Sequence, residues 1–418
     1  MATVVDVEAA LRRTSDHSGL VPKWRGPTLA SGFSGVALLH LYVARAVTDP
    51  HQQTASRRRA FEFIRGAVRQ TDGVSLGPGL WDGSSGLVLA MADCCRDEPR
   101  FAPALARLSG QVAEQVLAMR WPREPGKVAV SHYDLVSGAS GALVQLCAIE
   151  KPSPADRAAA GYIRDYLLWL SEPERGRASP WRWLITPEFY VSGPSLITKD
   201  TLPDGYLDVG LAHGAAGVLT GLAAAWRAGY RCRGQLDAME RITLWILEVR
   251  ERFDVDGTWP AIVPVPRSGA QSVGIGGNQL EWCYGSTGLA AALLRAAEVT
   301  GDSTLRQSAF GAFEIALRRS TESVESLSLC HGLAGLVAGC REFAEAGSEA
   351  AKEALPTLCD RLLGHAETKL PFIYHDPRLP HGAASDLMLL NGAPGMALAL
   401  LASVGTTRPA WFSALFGH

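Results

Sequence analysis

Seven copies of a short glycine motif constrain the fold of this 418-residue chain more than any other feature. Each copy reads G-x-x-G and runs directly into an apolar stretch, and successive copies are 47 to 76 residues apart. The first glycines of the seven copies are Gly32, Gly83, Gly138, Gly214, Gly285, Gly332 and Gly392. A single GxxG carries little information, but an internal repeat at this period indicates one structural unit used many times.

The apolar stretches that follow the glycines predict buried helices. They are rich in Ala, Leu and Met, which are good helix formers, and they are apolar on nearly every side. Amphipathic stretches lie between them, for example residues 57–70, 233–253 and 303–320, and these predict outer helices with one solvated face. The sequence therefore predicts an all-α fold of seven inner and seven outer helices.

The alternation of buried and half-exposed helices favours a closed ring over an open array. A linear solenoid needs polar caps at both ends, and no such caps stand out in this sequence. We predict an (α/α)7 toroid barrel that occupies residues 31–418 as one domain, preceded by an N-terminal segment, residues 1–30. Two long separations predict loop excursions over one rim, at about residues 171–208 and 255–279.

Charge and hydropathy narrow the range of partners and compartments. The chain has 40 Lys and Arg against 42 Asp and Glu, whereas nucleic-acid binders carry a basic excess. No stretch reaches the roughly 18 apolar residues of a membrane span, and the N-terminus has no apolar signal-peptide core. These features predict a cytoplasmic protein that binds no nucleic acid and is not itself a membrane protein, although partners can bring it to the membrane.

Two of the eight cysteines stand at special positions of the repeat. Cys283 lies two residues before Gly285, and Cys330 and His331 directly precede Gly332. If the repeats superpose, these residues of adjacent repeats meet at the starts of inner helices, and His213 occupies the same place before Gly214. Two thiolates and one imidazole form a good zinc set with an open fourth position. The alternatives without a metal are a cysteine that is simply buried in the core and a histidine that only forms a hydrogen bond at the start of a helix.

The residues around these positions resemble a known family, the lanthionine synthetase C-like proteins, or lanthipeptide cyclases. The resemblance covers all seven repeats, about residues 30 to 402, and rests on GLAHGAAG (210–217), WCYGSTG (282–288), CHGLAG (330–335), YDLVSGASG (133–141) and LLNGAPG (389–395). It implies an α-toroid with one zinc ion. It also implies the addition of peptide cysteine thiols to dehydroalanine or dehydrobutyrine, which forms lanthionine or methyllanthionine thioether rings.

The resemblance also assigns roles to residues. Cys283, Cys330 and His331 match the zinc ligands, His213 matches the acid/base histidine, and Asp134 matches the aspartate held near it. An imidazole suits proton transfer to the enolate at neutral pH. Asp134 can alternatively act only as a helix cap.

Two further positions complete this comparison with the family. Tyr284 matches an aromatic residue beside the first zinc cysteine. It either hydrogen-bonds the reaction intermediate or merely packs at the rim. Gln279 stands where the family often has arginine, so the function of that arginine is in doubt here.

The resemblance further implies partners, and it leaves one alternative function. The substrate is a dehydrated precursor peptide with a leader and a core, supplied by a separate dehydratase and passed on to an exporter. The alternative is a non-cyclising relative of the same fold that binds zinc and a thiol of the glutathione type. A terpene cyclase or prenyltransferase toroid is disfavoured, because the chain has no DDxxD motif. A purely structural helical scaffold leaves the Cys-Cys-His set unexplained.

Overall fold

The computed structural model describes residues 24–71, 76–174, 179–190, 197–253, 257–265, 274–276, 280–320, 326–370, 372–378 and 386–418. Helices dominate this part of the chain, and its only two named strands are three residues each. The predicted all-α class is therefore confirmed. No helix among the described residues is long and apolar enough to cross a membrane.

An inner helix follows each of the seven glycine motifs, as predicted. These inner helices, numbered 1 to 7 in chain order, are Phe33–Ala46, Ser84–Asp97, Ala139–Cys147, Ala215–Arg227, Ser286–Thr300, Leu333–Glu345 and Ala393–Val404. Most of their residues are buried, which explains why their sequences are apolar on nearly all sides.

Longer amphipathic helices follow inner helices 1 to 6. These outer helices, numbered 1 to 6, are Pro50–Arg69, Ala102–Ala118, Pro154–Leu170, Gln235–Phe253, Ser303–Arg319 and Glu349–Gly364. Within the described residues, inner helix 7 is followed by a five-residue helix, Phe412–Phe416. The remaining short helical elements are Pro99–Phe101, Val130–Tyr133 and Pro187–Phe189.

The first glycine of every motif is the N-cap of its inner helix, in extended backbone conformation. At Gly332 the reason is the close approach of the preceding chain, because an added Cβ would lie 2.1 Å from the carbonyl oxygen of Ser326. Only a residue without a side chain allows the backbone to turn this tightly into the helix.

The second glycine of a motif accommodates a leucine from a neighbouring repeat. A Cβ added at Gly288 would lie 2.9 Å from Cβ of Leu211, and one added at Gly395 would lie 2.9 Å from Cβ of Leu329. Each of these leucines stands three residues before the first glycine of its own motif. We call this contact the glycine–leucine contact. It sets how closely consecutive inner helices approach each other.

The chain divides into two compact units by its contacts. The first unit comprises Met1–Gly77, Trp81–Ser109 and Leu317–Leu415. Its motif turns are joined by backbone hydrogen bonds, from Ala30 N–H to Trp81 O, from Leu389 N–H to Ala30 O and from Cys330 N–H to Leu390 O. The motifs of this unit therefore follow one another in the order 2, 1, 7, 6.

The second unit comprises Pro78–Leu80, Gly110–Ala316 and Phe416–His418. The N–H of Leu135 donates to the carbonyl oxygen of Ala212 at 2.9 Å, and the N–H of Ala212 donates to that of Cys283 at 3.1 Å. The turns of motifs 3, 4 and 5 thus lie side by side, which places their polar side chains close together.

The two predicted excursions meet in this second unit. Strand Tyr206–Asp208 pairs antiparallel with strand Ile262–Pro264, with Leu207 opposite Val263. Earlier in the first excursion, Trp181 and Trp183 stack with 4.4 Å between their ring centroids. Trp183 also contacts Trp245 of outer helix 4. The strand pair ends directly before the turn that carries His213.

Candidate active site

A histidine–carboxylate pair forms the centre of the candidate site. Nδ1 of His213 lies 2.6 Å from Oδ2 of Asp134. The Asp134 side chain is only 2% exposed, whereas that of His213 is 33% exposed. A buried carboxylate that holds one ring nitrogen fixes the orientation of the imidazole and leaves the exposed part of the ring to meet solutes.

Asp134 also fixes the turn that leads into the third inner helix. Its Oδ1 accepts hydrogen bonds from the backbone N–H groups of Ser137 and Gly138, both at 2.7 Å. The N-cap of the helix is Gly138 itself, so Asp134 holds the turn with one carboxylate oxygen and His213 with the other.

Cys283 lies on the neighbouring turn of the same unit. Its carbonyl oxygen accepts the hydrogen bond from Ala212, the residue directly before His213. Cys283 is 2% exposed, and its Sγ lies 3.6 Å from Oε2 of Glu281. A backbone hydrogen bond thus joins the turn that carries His213 to the turn that carries Cys283.

Cys330 and His331 lie on the motif 6 turn of the other unit. The N–H of His331 donates to Oγ of Ser328 at 3.1 Å. Asp376 accepts from Oγ of Ser326 at 2.5 Å and from the N–H of Ser328 at 3.2 Å. The turn that carries this Cys-His pair is therefore fixed by the buried carboxylate of Asp376.

Cys283 of the second unit and Cys330 and His331 of the first have side chains of the type that could hold a metal ion. Both cysteines are buried and His331 is exposed. Two thiolates and one imidazole are ligands that zinc favours, and a three-ligand set leaves a fourth tetrahedral position. The donor chemistry therefore fits zinc.

Tyr284 packs beside His213, with 5.8 Å between ring centroids. Its hydroxyl donates a hydrogen bond to the carboxylate of Asp208, so it does more than pack at the rim. Burial and the charge of Asp208 raise the pKa of Tyr284 well above its usual value.

Asp208 is a residue of this site that the sequence analysis missed. It is 2% exposed, and burial raises its pKa to about 7, against the opposing influence of His213. The signal in the sequence is a single acidic residue in the run YLDVGLAHG (206–214), at the last position of the predicted excursion 171–208.

The other cysteines have the environments of structural residues. Burial raises the pKa of the thiols of Cys94, Cys147 and Cys340, which makes thiolates unfavourable there. Gln279, the predicted departure from the family pattern, lies outside the described residues.

Comparison with known proteins identifies the family. A family model described as "Lanthionine synthetase C-like protein" matches residues 23–416. This chain belongs to the lanthionine synthetase C-like family. Among relatives of this lanthionine synthetase C-like protein is "Nisin biosynthesis protein NisC" from Lactococcus lactis subsp. lactis, which is 22% identical over 326 residues. That alignment covers 76% of this chain and 73% of the relative.

A solved structure shares the fold of this family member. The structure named "Nisin cyclase" matches with a TM-score of 0.76 and 20% sequence identity. The match covers 99% of this chain and 97% of the other. At this identity the likeness shows a common fold.

Proposed function

We propose that this chain is a zinc-dependent lanthipeptide cyclase. It adds cysteine thiols of a dehydrated precursor peptide to dehydroalanine or dehydrobutyrine and forms lanthionine or methyllanthionine rings. The observation that carries the proposal is the Asp134–His213 pair, in which a buried carboxylate holds a partly exposed imidazole on the turn hydrogen-bonded to Cys283. Family membership and the similarity to NisC support the choice of reaction.

Cys283, Cys330 and His331 are the proposed metal ligands. These residues would hold a zinc ion, whose positive charge would favour the thiolate form of an incoming peptide thiol with an ordinary pKa of about 8.5. The two cysteine thiolates would contribute two negative charges to such a site.

His213 is the proposed proton donor. The sulfur bonds to Cβ of the dehydroamino acid, the C=C electron pair moves towards the carbonyl, and Cα then takes a proton. With Nδ1 held by Asp134, Nε2 of His213 is the atom that delivers this proton. The proton lost from sulfur is replaced at Cα, so ring closure leaves the peptide mass unchanged.

We further propose that residues 31–418 act as one catalytic domain that follows the N-terminal segment 1–30. The reaction takes place in the cytoplasm. A separate dehydratase supplies the dehydrated peptide and an exporter removes the product. Tyr284 belongs to the catalytic site because its ring lies beside His213.

The test is incubation of the purified protein with a dehydrated precursor peptide encoded beside its gene. Free thiols, counted by alkylation before and after, should disappear at constant peptide mass. A protein that contains zinc and binds small thiols such as glutathione, yet leaves the peptide thiols free, would instead support the non-cyclising alternative.

The zinc content of the wild type and of cysteine variants provides the second test. We expect about one zinc per chain, and Cys330→Ala should lose both zinc and ring closure. Cys340→Ala is the matched control, because Cys340 is buried within inner helix 6 and should leave zinc content unchanged. Full zinc content in Cys330→Ala would refute the ligand assignment.

A further inference from the structure

Asp208 joins three parts of the second unit at one buried carboxylate. It ends the strand Tyr206–Asp208, and its Oδ1 accepts the N–H of Gly210 at 3.0 Å. The same oxygen lies against the start of inner helix 4, since a Cβ added at Gly214 would come within 2.4 Å of it. Asp208 therefore binds the first part of the short turn that carries His213 and lies against its end.

The same carboxylate also reaches the next repeat through the hydroxyl of Tyr284. The two turns are in close contact there, because a Cβ added at Gly210 would lie 2.7 Å from the carbonyl oxygen of Cys283 and 2.7 Å from Cδ1 of Tyr284. With its ring packed closely and its hydroxyl bonded, Tyr284 has one defined position beside His213.

Asp208 repeats the arrangement of Asp134 one motif later. Each carboxylate accepts backbone N–H bonds in its own motif and binds a side chain of the next, His213 for Asp134 and Tyr284 for Asp208. The charged and titratable groups that influence Asp208 are His213, Asp134 and Tyr284.

We propose that Asp208 is a positioning residue of the ring-closing reaction, which holds the His213 turn and the Tyr284 hydroxyl at a fixed separation. The inference rests on the proposed function. Asp208 is too deeply buried to contact a peptide, so it acts through His213 and Tyr284. Its loss should therefore lower kcat and leave KM nearly unchanged.

The test uses Asp208→Asn, Tyr284→Phe and the double variant in the ring-closing assay. Asparagine keeps an acceptor for Gly210 but removes the carboxylate that accepts the tyrosine hydroxyl. Because a hydrogen bond to a charged group is involved, each single variant should lower kcat by about tenfold to a hundredfold. The double variant should fall no further than the more impaired single variant, because both changes break one bond.

Asp156→Asn is the matched control. Asp156 is another buried carboxylate of the same unit, and it caps outer helix 3 together with Ser153. This variant should change the urea midpoint of unfolding but not kcat. Unchanged kcat in Asp208→Asn, or a multiplicative loss in the double variant, would refute the positioning role.

The urea midpoints of unfolding of the wild type, the two single variants and the double variant test the Asp208–Tyr284 bond without a measurement of activity. Non-additive midpoints establish the bond, and additive ones refute it. Tyr284→Phe keeps the ring, so it reports on the bond even if Asp208→Asn does not fold. A wild-type protein that closes no rings would refute the proposed function and the positioning role, while non-additive midpoints would still establish the pair.

Discussion

At the residue scale, the site is built from carboxylates whose two oxygens have different tasks. Asp134 uses one oxygen for the backbone of its own turn and the other for His213. The stability of the turn and the orientation of the His213 ring thereby depend on the same side chain. A substitution that removes the contact with His213 but keeps the contact with the backbone can separate the two contributions of Asp134.

Replacing Asp134 makes this separation measurable. Asp134→Asn keeps an oxygen that can accept from the backbone of the turn, but it removes the negative charge that stabilises the protonated imidazole from which Nε2 delivers the proton. We expect ring closure to slow by about 10²-fold or more, with little change in unfolding. Asp134→Ala should in addition lose about 1 to 3 kcal/mol of stability, because two backbone N–H groups lose their acceptor. Equal ring-closing rates in Asp134→Asn and wild type would contradict the orienting role.

The candidate metal ligands and the histidine pair could be predicted from the sequence, whereas Asp208 could not. His213, Cys283 and Cys330 stand at or beside the first glycine of a motif, so the repeat itself points to them. Asp208 lies six residues before Gly214, whereas Asp134 lies four residues before Gly138. Its partner Tyr284 belongs to another repeat, and only the folded chain brings the two side chains together.

At the element scale, the glycine–leucine contact controls the packing of neighbouring inner helices. It was not predicted, because the glycines alone do not identify which side chain fills the space above them. The helix starts were predicted, since glycine followed by an apolar run is a local signal. The strand pair Tyr206–Asp208 with Ile262–Pro264 depends on residues more than 50 positions apart.

Gly288→Ala tests the glycine–leucine contact. The new Cβ would lie 1.9 Å from the carbonyl oxygen of Trp282 and 2.9 Å from Cβ of Leu211, so backbone must move. We expect a loss of about 2 to 3 kcal/mol in the free energy of unfolding, measured by urea denaturation.

Gly311→Ala is the matched control on an outer helix of the same unit. A Cβ at Gly311 meets no atom within 4 Å, so alanine should stabilise the helix by about 0.5 to 1 kcal/mol. Similar changes in both variants would show that helix propensity, and not close approach, explains the effect at Gly288.

At the scale of the whole molecule, the repeat predicts the helical class and the number of inner helices. It does not indicate that the chain divides into two compact units, because all seven copies have the same pattern. Two boundaries of these units fall after Ser109 and after Ala316, within outer helices 2 and 5. The motif does not encode these positions.

The stability of the molecule should fall in mild acid because of His40. This residue of inner helix 1 is 5% exposed and stacks on Phe63 with 5.4 Å between ring centroids. Burial and the charge of Arg59 lower its pKa to about 4. Between pH 6.5 and pH 4, the unfolded chain therefore binds a proton at His40 that the folded chain does not bind. The stability that is present above pH 6.5 is lost as the pH falls towards 4.

A His40→Leu variant isolates this effect. Relative to this variant, the wild type should lose about 3 kcal/mol of stability between pH 6.5 and pH 4. Urea midpoints measured across this range give the difference. Parallel pH profiles for the two proteins would show that His40 does not titrate with a lowered pKa.

The glycine–leucine contact has a consequence for how such chains can diverge. A side chain at the second glycine would also meet the carbonyl oxygen six residues before it, at 1.9 Å for Gly288 and 2.0 Å for Gly395. The glycine should therefore persist across members of the family, while the size of the residue at the leucine position can change. The fifth motif already shows such a change, with Trp282 at the leucine position.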